Sequence, residues 1–125
     1  MLKPCVRVML IALLGAAASA HHSFAMFDQT KTVVIAGTFK KAELSNPHTW
    51  YWVAEALPNG ETKLWGAEGG GVSQVNTGSM PMKEYFAPGQ KVQMTLHPLR
   101  DGRAGGQLVS LRFEDGRVFG GSPLP

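Results

Sequence analysis

Thr32-Val33-Val34-Ile35-Ala36-Gly37-Thr38-Phe39-Lys40-Lys41-Ala42-Glu43-Leu44 is the stretch on which the fold turns. Val33, Ile35, Gly37 and Phe39 keep a period of two, which puts them on one face of an extended strand. After Phe39 the apolar phase slips, to Ala42 and Leu44. A slip of one residue moves side chains to the opposite face, so this strand must carry a bulge or a sharp bend. Gly37, without a Cβ, is a natural place for it to coil. One long bent strand with little helix around it predicts a sheet that curls and closes, because closure removes exposed edges.

The flanking segments supply the partners. Thr49–Ala56 alternates Trp50, Trp52, Ala54 and Ala56 against Tyr51, Val53 and Glu55, and Pro58-Asn59-Gly60 turns it into Glu61–Glu68 as a hairpin. Gly71–Gly78 has Val72 and Val75 three apart, consistent with one or two helical turns. Lys83–Phe86 reads as another turn before Pro88-Gly89 stops it. Strand pattern resumes at Lys91–His97, with Val92, Met94 and Leu96 inward and Gln93, Thr95 and His97 outward. After Asp101-Gly102, Gln107–Glu114 sets Val109, Leu111 and Phe113 on one face, and Arg117–Phe119 returns across Asp115-Gly116. Gly69-Gly70-Gly71 and Gly105-Gly106 read as further turn signals. Three strands, a short helical connection, two strands and a short sixth give a mainly-β chain. Its order is that of a small five- to six-stranded OB-like barrel. An open five-stranded sheet or a small sandwich has the same strand count. The barrel is assigned to 32–119, with 21–31 as an N-terminal arm and 120–125 as a loose tail.

Upstream, Lys3 and Arg7 precede the apolar run Val8–Leu14, and Ala18-Ser19-Ala20 offers small residues for cleavage. Residues 1–20 thus read as a signal peptide, too short in its apolar core for the ~20 residues of a permanent span. Cys5 precedes the run, so it is not a lipid-anchor cysteine. The expectation is a periplasmic or secreted protein. Of twelve Lys and Arg, ten then remain against nine Asp and Glu, and the one cysteine is lost with the signal. A near-neutral domain has no electrostatic footprint for nucleic acid. Without thiols it has neither a disulfide framework nor a thiolate metal site. Nucleophile-elbow, paired-carboxylate, phosphate-loop and heme-attachment motifs are absent, so a catalytic role is not expected.

All four histidines survive this trimming. Cleavage after Ala20 makes His21 the first residue, whose amine and ring nitrogen can chelate one metal. His22, His48 or His97 can add a further nitrogen, and Met26, Met80 or Met82 a sulfur. Nitrogen ligands with a thioether suit copper. His97 lies by the start of the long strand and His48 by its end, which predicts opposite ends of the barrel, with His97 nearer the arm. The bland alternatives are a polar start at His21-His22 and a turn in which His48 caps a strand. Trp50, Tyr51, Trp52 and Trp65 can form a ligand-stacking face. Core packing is the favoured account of these rings, with the choice of inward face left open. The expected function is binding of a small ligand or a metal. The alternative is a non-catalytic accessory subunit that docks on an envelope protein.

Several motifs occur together and in order: His21-His22-Ser23-Phe24, Gly37-Thr38, Asn46-Pro47-His48 with Trp50, and Trp65 with Glu68. Pro88-Gly89, His97-Pro98-Leu99-Arg100-Asp101-Gly102, Gly105-Gly106 and Asp115-Gly116 follow. In this order and spacing the chain resembles the exported bacterial domain-of-unknown-function family 6152 over about 21–119. The resemblance implies export and carries no established activity. It departs at Gly69–Met82, where relatives tend to start a helix with Ser-Pro and follow it with Gly-Trp. Here a triple glycine and Met80-Pro81-Met82 stand instead.

Overall fold

The structure is a computed structural model that describes residues 24–120. Its strands are β1 (Val33–Glu43), β2 (Trp50–Ala56), β3 (Thr62–Glu68), β4 (Lys91–Pro98), β5 (Gly105–Phe113) and β6 (Val118–Gly120). One α-helical turn, α1 (Met82–Tyr85), lies between β3 and β4, with single 3₁₀ turns at Phe24–Met26 and Val72–Gln74. The sheet runs β3-β2-β1-β4-β5-β6, and β3 also pairs with β5. That last pairing is parallel and closes β1 to β5 into the expected OB-like barrel, with β6 as an extension.

The phase slip in β1 is a bulge. Phe39 faces Val53 while Lys41 faces Trp52, leaving Lys40 as the extra residue. A Cβ on Gly37 would sit 2.2 Å from the Ala54 carbonyl oxygen, so the bend brings two backbones together where only glycine fits. The inward face of β2 is that of Tyr51 and Val53, at 1% and 0% exposure. They join Phe39, Phe86, Phe113 and Phe119 in an aromatic-rich core, onto which α1 delivers Tyr85. The rings meet at tilted and edge-on angles, with centroids 5.2 Å apart for Tyr51 and Phe119 and 5.1 Å for Phe86 and Phe119.

Four expectations change. Gly105-Gly106 is not a turn but the buried start of β5. A Cβ on Gly105 would lie 2.7 Å from the Gly66 oxygen, and one on Gly106 2.0 Å from the His97 oxygen. These glycines let three strands converge. Val109 is not the inward residue of β5. The register shifts between Thr95 and Leu96, so Leu108 faces Leu96 and packs on the core while Val109 is the bulged residue. His97 alternates outward as expected, yet it is only 3% exposed, because the segment before β1 covers it. That segment is integral: Phe27 is buried and bridges Leu99, and the Asp28 amide donates to the Pro98 oxygen at 2.8 Å. The signal peptide, His21 and His22 lie outside the described residues. Among the described residues no helix is long and apolar enough to cross a membrane.

Candidate functional site

Closure through β3 leaves a seam. On one edge of β5, Gly105–Gln107 pair with β3 and Ser110–Arg112 pair with β6. Between them, Leu108 and Val109 have no strand beside them on that edge. A cleft of about 720 Å³ opens there. Gly69, Gly70 and Gly71 form one side as the chain leaves β3, and Phe119 and Gly120 form the other. Tyr51, His97 and Gln74 line it, together with Gln29 and Gln107, whose side-chain amides bond to each other, Gln29 Nε2 donating to Gln107 Oε1.

Two residues that line this cleft, His97 and Tyr51, each carry a buried polar atom. His97 Nδ1 donates to the Lys31 carbonyl at 2.7 Å, which puts the ring proton on Nδ1. Nε2 is therefore an acceptor, and it is shielded from solvent with no hydrogen bond. The Tyr51 hydroxyl is shielded in the same way, with the Thr49 hydroxyl beside it. Burial pushes its pKa above the ordinary 10.0, with the adjacent Thr49 hydroxyl pulling the other way. An acceptor such as His97 Nε2 forfeits its water without return unless something occupies the cleft.

A second compartment of about 310 Å³ adjoins the first and shares Gly69, Gly70, Gly71, Gln74, Gln107 and Leu108 with it. His48 and Glu68 line this part, with Phe27. His48 Nδ1 lies 3.1 Å from Glu68 Oε1 and 3.3 Å from the Gly69 oxygen, so it carries a proton there too. The Asn46-Pro47-His48-Thr49 loop clasps the glycines. Asn46 Oδ1 accepts from the Val72 amide, and Thr49 exchanges backbone bonds with Gly69 and Gly70. The fit leaves no room for side chains. A Cβ at Gly69 would be 2.6 Å from Thr49 Oγ1, and one at Gly70 1.8 Å from Gln74 Oε1.

His97 stands beside the start of β1 and His48 beside its end, as expected, and the two line separate, adjoining compartments of one groove. The reading along β1 missed the parallel closure, which puts Glu68 beside Gln107 and Gln107 beside His97. Among the described residues no three His, Cys, Asp or Glu side chains group to hold a metal. The aromatic residues fall on separate surfaces. Tyr51 lines the cleft from within, while Trp50 and Trp52 stack on the outer face with centroids 6.2 Å apart. Trp65 donates to Glu55 Oε2 at 2.7 Å, under Lys63. Gln29, Gln74 and Gln107 were not legible as site residues, since glutamine carries no motif and their convergence depends on closure.

Fold and site together define a small closed OB-like barrel with an uncharged, largely apolar cleft at its seam. A family model described as a family of unknown function (DUF6152) matches residues 9–109, and the chain belongs to that family. No curated protein and no solved structure matches it.

Proposed function

We propose that this is a binding domain that holds a small polar ligand in the seam cleft. The observation that carries this reading is His97 Nε2, a buried acceptor without a hydrogen bond among the described residues, on a residue that lines the cleft beside Tyr51. The cleft volume is of the size that takes small molecules. Exported sequence character makes a periplasmic or secreted setting the matching location. The test is an NMR screen of small polar metabolites against ¹⁵N-labelled protein. Binding compounds are expected to shift Gly69–Gly71, His97 and Gln107–Val109. Binders whose shifts scatter elsewhere on the surface, or an absence of binders, overturn it.

A copper reading has one observation in its favour. A histidine whose Nδ1–H is held by a backbone carbonyl presents Nε2 as metal-ligating histidines do. Since no metal group forms among the described residues, further ligands must come from outside them, and His21 and His22 are those the sequence supplies. His22 is three residues from Ala25, hence within ~11 Å of it by any path. Ala25 is tied to Arg100 just beyond β4, its carbonyl accepting from Arg100 Nε at 3.0 Å. Calorimetric titration of a chain beginning at His21 is expected to show tight Cu(II) binding. That binding should weaken at least tenfold when one alanine precedes His21 or when His97 is replaced by Ala. Equal affinity for all three rules out this site.

A further inference from the structure

Resting on the seam cleft as a ligand site, we infer that its occupant is an uncharged, hydroxyl-rich molecule of sugar or polyol type. None of the described residues lining the main compartment is Asp, Glu, Lys or Arg. A carboxylate, phosphate or ammonium entering there would lose its water without a counter-charge, which is costly. The polar groups present are neutral and of complementary capacities. Gln74 carries an amide that both donates and accepts, while Gln29 Nε2 donates to Gln107 Oε1, which leaves the Gln107 amide hydrogens as donors and the Gln29 oxygen as an acceptor. His97 Nε2 accepts only, because Nδ1 holds the ring proton on the Lys31 carbonyl. The Tyr51 hydroxyl does either, and its raised pKa keeps it protonated.

A hydroxyl group matches this set best, because one hydroxyl donates to an imidazole nitrogen and accepts from an amide at once. Several hydroxyls on one ring can meet several such groups without leaving any unpaired. Phe119, Val75 and Leu108 add an apolar wall against which the C–H face of a sugar ring can lie. Among the described residues that line the groove, Glu68 of the neighbouring compartment is the one acidic side chain, and His48 Nδ1 faces its Oε1 at 3.1 Å. That carboxylate is therefore already engaged and does not make the main compartment anionic.

The experiment titrates ¹⁵N-labelled protein with glucose, maltose and sorbitol, and in parallel with glucuronate, glycine and Cu(II). At least one neutral polyol is expected to shift His97, Gln74 and Gln107, and glucuronate is expected to bind at least tenfold more weakly than glucose. Tyr51→Phe should lower the neutral ligand's affinity about tenfold while the spectrum of the free protein stays folded. If glucuronate, glycine or Cu(II) is the ligand that moves these resonances, the assignment to neutral polyols falls while the cleft remains a binding site. If no probe moves them, both readings fall together.

Discussion

At the scale of single residues, Tyr51 shows how function can be separated from stability. Its ring is a core element, in contact with Phe86 and Phe119, but its hydroxyl is buried with the Thr49 hydroxyl beside it. Removing such a hydroxyl while keeping the ring deletes a desolvated polar group and no packing. The free Tyr51→Phe protein is therefore expected to match the wild type or exceed it by about 1 kcal/mol in urea unfolding. A loss of more than about 1 kcal/mol would show that the hydroxyl is engaged in the fold after all. His97 is the complementary case, because its Nδ1 is committed to Lys31 and only Nε2 is left to a ligand. The tyrosine also has an alkaline signature. Its folded pKa is raised, so its share of stability is intact below the ordinary 10.0 and is lost as pH climbs through the higher folded value.

Among the elements, strands could be read locally and their irregularities only in part. The β1 bulge was visible because it breaks an apolar alternation, with Phe39 before it and Ala42 after it. The β5 bulge was hidden, because Leu108 and Val109 are adjacent and both apolar, so either can serve as the inward residue. Glycine had two uses that composition does not separate. Gly116 has φ 92° and makes the β5–β6 turn, whereas Gly106 lies in a strand pressed against the His97 carbonyl. The same β5–β6 turn has a predictable acid response. The Arg117 side chain donates to Asp115, and with its backbone amide holds that carboxyl below its ordinary 3.8. A lowered folded pKa means stability that is present above the ordinary value and lost as pH falls through the lower one. Asp115→Asn should thus lower the thermal midpoint slightly near neutrality and flatten its decline below pH 4 to the same extent. An unaltered acid profile would place the origin of that decline at other carboxylates.

For the whole molecule, the decisive contact is also the least local. The seam rests on three parallel pairs, Gly66 with Gly105, Ala67 with Gly106 and Glu68 with Gln107, whereas β2 and β3 share seven antiparallel ones. No periodicity announces a pairing between segments so far apart, and this is why the meeting of the compartments lined by His48 and by His97 could not be read from the sequence. The motifs that surround the groove could be found in the sequence; their meeting at one edge of β5 could not. Fewer pairs at the seam also make it the cheapest part of the barrel to open, since local opening scales with the contacts that must be broken. The Gly66 amide, which donates to the Ala104 oxygen at 3.3 Å, reports directly on that opening. It is expected to exchange with solvent deuterium at least tenfold faster than amides buried between β1 and β4, such as those of the Ile35–Met94 pair. A ligand in the cleft touches both sides of the seam and should slow that exchange selectively, leaving the β1–β4 amides unchanged. Uniformly slow exchange in the free protein would mean that the barrel opens only as one unit and that the cleft is rigid before its ligand arrives.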